Sequence, residues 1–146
     1  MINLNKTLIK KSNVGVQWYL VDAKNQNLGR LSSKIACTLI GKNDKYYVPF
    51  KSSHIQVIVI NSEYVEITGK KNEQKLYRKH SGKPGGLKQE TFSKLKNRLP
   101  NKIIEHSVRG MLPKNSVGKC LARNIKVYRQ NKHPHKAQEP ISLDID

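Results

Sequence analysis

Lys114, Asn115, Ser116, Gly118 and Lys119 crowd into six residues just after Arg109 and Gly110, in the stretch VRGMLPKNSVGK that runs from 108 to 119. Cations interleaved with small residues let backbone N–H groups come close to an anion, so the chemistry on offer is the grip of a phosphate. A nucleotide-cradling P-loop needs four residues between its glycines and a Ser or Thr after the lysine to hold magnesium. Here seven residues separate Gly110 from Gly118 and Cys120 follows Lys119, so the stretch reads as a basic surface loop and not as a nucleotide site.

Catalytic constellations are missing. Asp22, Glu63, Glu66 and Glu105 form no close acidic pair in sequence, and each sits beside a predicted strand or helix end where a cap or surface charge is the ordinary role. His54, His80, His106, His133 and His135 have no cysteine or carboxylate at ligand spacing. In His133-Pro134-His135 the proline extends the chain, and with Lys132 and Lys136 on either side the imidazoles suit phosphate or base contacts better than a metal. Cys120, beside Lys119, would favour a thiolate, but no acyl or phosphoryl site accompanies it. Cys37 and Cys120 are far apart and read as reduced thiols. The expectation is a protein without enzymatic activity, metal, cofactor or small-molecule substrate.

What remains is an array of basic loops: Lys70 and Lys71, Arg78 to Lys88, Arg109 to Arg123, and Lys132 to Lys136. They belong to a chain of 146 residues with 28 Lys plus Arg against 10 Asp plus Glu, a formal net charge of +18. Such a chain repels itself, and a polyanionic partner relieves the repulsion most directly. A membrane surface is the poorer partner, since no stretch approaches 18 apolar residues and no basic helix shows a strong opposing apolar face. Loops that mix Lys and Arg with Gly, Ser, Asn and His suit folded RNA, read through backbone and 2′-hydroxyl contacts. No isolated recognition helix or zinc-finger spacing points to DNA.

These loops need a rigid frame. Residues 1–17 read as a basic tail, and 18–146 as a single domain long enough to bury roughly 68–70% of the surface of its unfolded chain. Trp18 to Ala23 predicts a strand, and Leu28, Leu31, Ile35, Ala36, Leu39 and Ile40 predict a helix that Gly41 stops. Tyr46, Tyr47 and Phe50 flank Pro49 in a connection better suited to packing than to base stacking. Gln56 to Asn61, continuously β-branched, predicts a strand buried on both faces, as in a parallel sheet. Val65 to Thr68 fits either a strand or a helical turn, and Lys75 to Lys79 a strand that opens into a glycine-rich loop over residues 80–88. Thr91 to Leu99 predicts a helix, ended by Pro100. Ile103, Ile104, Ser107, Val108 and Met111 place a second helix before Pro113. Ser116 to Asn124 predicts a short helix capped by Asn115 or Ser116, Ile125 to Tyr128 a last strand, and Glu139 to Asp146 an irregular end. Strands separated by helices define an α/β layer architecture with a mainly parallel sheet.

The ordered motifs WYLVDA, LGRL, VIVIN, TGKK, KLYRKHSGKPGGLK, RLPNKIIEHSVRGMLPKN and KVY followed by HPHKAQ resemble the large-subunit ribosomal protein L-thirteen family of bacterial and organellar type, from about Trp18 to Gln138. The resemblance implies a three-layer α/β domain, its mostly parallel four-stranded sheet flanked by helices. It also implies direct binding to large-subunit ribosomal RNA beside neighbouring large-subunit proteins, early entry into subunit assembly, and no catalysis. Carried over by position, the expected RNA contacts are Arg78, Lys79, His80, Ser81, Lys83 and Lys88, then Arg109, Lys114, Asn115 and Lys119, then His133, His135 and Lys136. The basic loops add Lys70, Lys71 and Arg123, while Met111, Leu112 and Pro113 hold their loop. Two departures stand out: Ser52-Ser53-His54 replaces the usual Thr-Gly-Asp, and Lys119-Cys120 stands where arginine is common, which weakens a bidentate phosphate grip there. KLYRKHSGKPGGLK and RLPNKIIEHSV look most like plastid versions, so a plastid ribosome in the stroma is expected, with the bacterial cytoplasm as the alternative. A free-standing RNA-binding regulator is the competing reading.

Overall fold

A computed structural model describes residues 15–44 and 47–143. Most of the predicted N-terminal tail, Lys45 and Tyr46 of the aromatic connection, and residues 144–146 of the predicted irregular end lie outside the described residues. The frame is a parallel sheet. β1 (Gln17–Asp22) and β2 (Ile55–Ile60) pair from Gln17↔Ile55 to Asp22↔Ile60. β5 (Ile125–Val127) adds to β2 with Val57 opposite Ile125, and β6 (Ile141–Ser142) adds to β1 with Tyr19 opposite Ile141. The order is β5-β2-β1-β6 with every pairing parallel. Central β2 explains the apolar run: Val57, Ile58, Val59 and Ile60 are all buried because both faces are covered.

One face carries the helices. α1 (Leu28–Ile40) starts at Asn27, whose side chain accepts from the Gly29 N–H at 3.1 Å, and stops at Gly41 in the left-handed region at φ 77°. Its stripe of Leu28, Leu31, Ile35 and Leu39 packs with Val57, Val59, Val21 and the next helix pair. That pair is α3 (Phe92–Arg98) and α4 (Pro100–Met111), broken at Leu99, where Pro100 sits in the first turn of α4 and loses no helical hydrogen bond. Phe92, Leu95, Ile103, Ile104 and Val108 fill the core. Ser62 Oγ donates to Asn101 Oδ1 at 2.6 Å and Lys96 Nζ donates to Val65 O at 2.9 Å, fastening the pair to the chain that leaves β2. Leu99 and Met111, expected on the inner faces, are exposed at helix ends.

Strand alternation turns Trp18 to the opposite face of the sheet from Tyr19 and Val21. There the C-terminal segment lies down: the His135 ring sits 5.2 Å from Trp18, and its Nε2 is 2.8 Å from the Tyr128 hydroxyl. A short 3₁₀ turn, Lys136–Gln138, leads on to β6. Helices, sheet and this segment make the layers.

Three readings of the sequence need correction. The glycine-rich loop is shorter than residues 80–88: β3 (Leu76–His80) and β4 (Leu87–Thr91) form an antiparallel hairpin, His80 opposite Leu87, with only residues 81–86 as its tip. Both strands are exposed over most of their length, so neither shows the burial pattern that reveals a strand. Ile125–Val127 is not the last strand, because residues 141 and 142 of the supposedly irregular end complete the sheet. Lys71–Gln74 is a one-turn helix, α2, where a turn was expected. The undecided Val65 to Thr68 piece is extended, bridging Glu66 in parallel to Asn27. At the unusual Ser52-Ser53-His54, the Ser53 hydroxyl donates to the Leu39 carbonyl at the end of α1, and the His54 carbonyl receives the Gln17 N–H at 3.1 Å.

Candidate nucleic-acid interface

The hairpin is an exposed, basic arm. Its tip turns through Gly82 and Gly85 at φ 86° and 70°, conformations that side chains rarely adopt. Ser81 N–H donates to Gly86 O at 3.2 Å, and Gly82 N–H to the His80 Nδ1 at 2.9 Å, so His80 braces the tip it was expected to present. Arg78, Lys79, His80, Ser81, Lys83 and Lys88 are all exposed. Lys79 and Lys88 stand directly opposite each other across the hairpin, a like-charge pair that an anion relieves. Tyr77 anchors the arm, its ring 6.5 Å from Phe92 and edge-on to His106 at 5.5 Å; burial pushes its phenol pKa up. Glu90 in β4 receives Arg98 of α3 through bonds of 3.0 and 2.5 Å, which hold its carboxyl below the usual carboxylate range. Lys70 and Lys71, exposed, lead into the arm through α2.

The second basic feature is concave. A cleft of about 490 Å³ lies between α4 and α5 (Ser116–Leu121), lined by Lys102, Glu105, His106 and Arg109 of α4, Lys119 of α5, Ala122 and Arg123 of the turn after it, and Ile125 of β5. Lys102 Nζ pairs with Glu105 at 2.9 Å, while Arg109, Lys119 and Arg123 have no carboxylate partner among the described residues. Arg109, Lys119 and Arg123 were expected from sequence; Lys102 and His106 were not. Their spacing with Arg109 is the signal: positions 102, 106 and 109 share the helix face opposite Ile103, Ile104 and Val108.

The loop before α5 follows the expected Asn115 cap and departs from the expected anion cradle. Asn115 Oδ1 accepts the Gly118 N–H at 2.8 Å as the helix cap, so neither group is free to cradle a phosphate. Gly118 is required by contact instead: a Cβ there would fall 1.8 Å from the Pro113 carbonyl oxygen. Leu112 is buried and holds the loop, and Lys114 stays exposed.

The third cluster is partly inward. His133 and His135 are half-buried around Tyr128, with His133 Nδ1 buried and unpartnered, whereas Lys136 is exposed. Hairpin and cleft are contiguous through the Tyr77–His106 contact; the His133 to Lys136 segment lies on the other face of the sheet.

The acidic residues have structural partners. Asp22 Oδ1 accepts from Lys24 N at 2.9 Å and Asn61 Nδ2 at 2.8 Å, tying the ends of β1 and β2. Glu63 accepts from Arg129 at 2.9 Å, and this bond, ahead of every other influence, lowers its carboxyl pKa. Among the described residues no group of His, Cys, Asp and Glu is arranged to hold a metal, and no helix is long and apolar enough to cross a membrane. Cys37 and Cys120 are free thiols.

A parallel α/β core that carries, among the described residues, cations without carboxylate partners on a hairpin arm and in a cleft defines a class, the strongly basic α/β proteins. Within it, residues 16–134 match the sequence model of the family described as ribosomal protein L13, and the chain belongs to that family. It is 51% identical over 144 residues to the large ribosomal subunit protein uL13 of Synechocystis sp., covering 98% of this chain and 95% of that one. To the proteins of the same name from Trichormus variabilis and Synechococcus sp. it is 57% identical over 129 residues (88% and 85% covered) and 48% identical over 144 residues (98% and 96% covered). The chain is thus a ribosomal protein and not an enzyme.

Proposed function

We propose that this chain is a structural constituent of the large ribosomal subunit, as its relatives are named, and that it binds large-subunit ribosomal RNA and supports subunit assembly. The observation that carries the reading is the contiguous basic surface: hairpin arm and α4–α5 cleft meet at Tyr77 and His106, and among the described residues the arm's lysines and Arg109, Lys119 and Arg123 of the cleft have no carboxylate partner. On this reading residues 18–146 act as one RNA-binding domain. Lys70, Lys71, Arg78, Lys79, Ser81, Lys83 and Lys88 hold backbone phosphates along the arm, Arg109, Lys119 and Arg123 hold them in the cleft with Lys114 in the loop beside it, and Lys136 holds one on the other face of the sheet. His80, Asn115, His133 and His135 act from behind this line: their groups brace the tip, cap α5 and seat the C-terminal segment. The mechanism is electrostatic with shape selection, basic elements on a rigid core bridging RNA segments that would otherwise repel. Neighbouring large-subunit proteins cover part of the remaining surface. The cyanobacterial relatives fit a bacterial cytoplasm or a plastid stroma, and the plastid-like motifs favour the stroma.

The test is binding of the purified protein to large-subunit ribosomal RNA and to an unrelated RNA of equal length across a salt titration. Preference for the ribosomal RNA that persists as salt rises supports the reading. Release of both RNAs together would reduce the protein to a polycation and sink it. Stoichiometric sedimentation of the native protein with the large subunit separates a ribosomal constituent from a free regulator.

A further inference from the structure

We propose that the α4–α5 cleft receives a single unstacked nucleotide of the bound RNA, an inference that rests on the RNA-binding reading above. The arm is exposed along most of its length and suits the outside of a helix. The cleft, at about 490 Å³, falls in the range of roughly 300–1,000 Å³ that holds a small ligand, and an RNA duplex cannot enter it. Its lining is mixed in a way that a bare phosphate does not require. Ala122, with the rim of the largely buried Ile125, supplies apolar surface against which a base can lie, while Arg109, Lys119 and Arg123 supply cations without a carboxylate partner among the described residues. A nucleotide within a strand brings one base and two flanking phosphates, and this lining offers a partner to each.

The remaining residues add polar readout. Glu105 gives one carboxylate oxygen to Lys102 at 2.9 Å, and its other can accept from a base amino group or a 2′-hydroxyl. A site meant for an acidic peptide gains nothing from that carboxylate. The His106 ring is held edge-on against Tyr77 at 5.5 Å, so occupation of the cleft is coupled to the base of the arm. In this arrangement the arm supplies general affinity for phosphate and the cleft supplies selection, because only RNA with an extruded or unpaired nucleotide at the right place fills both.

Amide spectra of the labelled full chain during titration with nucleoside 3′,5′-bisphosphates, with base-free ribose bisphosphate, and with an acidic peptide test the proposal. Nucleoside bisphosphates are expected to shift His106, Arg109, Lys119 and Arg123 and to bind roughly fivefold tighter than the base-free compound, which corresponds to about 1 kcal/mol of base contact. Ala122→Leu, which fills the cleft without altering charge, is expected to remove that advantage, and Arg123→Ala to weaken both compounds. Equal binding with and without a base, stronger binding of the acidic peptide, or an advantage that survives both substitutions would each overturn the proposal. If wild type prefers ribosomal RNA but Ala122→Leu prefers it equally, the cleft proposal alone fails. If wild type shows no such preference yet binds nucleoside bisphosphates in the cleft, the cleft stands and the ribosomal RNA reading fails.

Discussion

Gly118 shows how residue type alone can mislead. In VRGMLPKNSVGK a glycine beside a lysine suggests an anion nest, whereas in the fold its missing side chain makes room for the Pro113 carbonyl. Gly118→Ala is therefore expected to cost about 1–3 kcal/mol, as overpacking against backbone does, and to lower the urea midpoint; an unchanged midpoint would mean the loop has slack. Arg109 makes the contrasting case, since it is exposed and has no carboxylate partner among the described residues. Arg109→Ala should leave stability within about 0.5 kcal/mol, weaken RNA binding, and make the slope of log K against log salt shallower by about one. A large loss of stability with unaltered affinity would place Arg109 in the structure and not at the interface. Glu63 and Glu90 belong to the acid limb. Each carboxyl is held below its ordinary value chiefly by an arginine hydrogen bond, so each contributes stability above the unfolded pKa of about 4.3 and loses it as pH falls through the lower folded value. Thermal midpoints recorded from pH 6 downward should fall less steeply below about pH 4.3 in the Glu63→Gln, Glu90→Gln double variant than in wild type.

At the scale of elements, the sequence is legible where burial imposes a period and illegible where pairing alone makes the element. α1, α3, α4 and β2 announce themselves because apolar residues must face the core. β4 does not: Leu87, Lys88 and Gln89 are exposed, and the strand exists because β3 lies opposite it. β6 is two residues long, and its partner Tyr19 lies at the other end of the chain, beyond the reach of any local pattern. The same logic governs the interface. Arg109, Lys119 and Arg123 are visible as charges, but their convergence with Lys102 and His106 depends on how α5 folds back beside α4. The inward turn of His133 and His135 likewise depends on Trp18, far from the HPHKAQ motif in the chain, which closes on them together with the nearby Tyr128. Leu143→Pro tests the last element, because Leu143 N–H donates to Leu20 O at 2.8 Å next to β6. The single tryptophan, Trp18, reports on that face, and its emission should shift to the red as the segment lifts, while helical circular dichroism stays near wild type. Unchanged emission would show that His135 and Tyr128 hold the segment without β6.

For the molecule as a whole, a net charge of +18 sets two opposed salt dependences. In the free protein, salt screens repulsion among the cations of the arm and the cleft, so its thermal midpoint should rise as salt is added. In the complex, salt competes with the protein for the phosphates, and with roughly six to ten contacts the affinity should fall by about 10³ to 10⁵ between 50 and 200 mM. Both are read on the same samples, by thermal melting and by RNA titration; a midpoint that falls with salt would mean internal ion pairs outweigh the repulsion. The pairing of residue 19 with residue 141 also gives the chain a history. During synthesis from the N-terminus, the arm and the α4–α5 cleft are made before β6, so the surface proposed to meet RNA can be finished while one edge of β1 is still open. An open parallel edge is a template for other strands, and the late arrival of two residues covers it at Tyr19 and Leu20 and leaves only a very short edge strand outside. The growing protein is thus competent to meet its partner before it is sealed against its own kind.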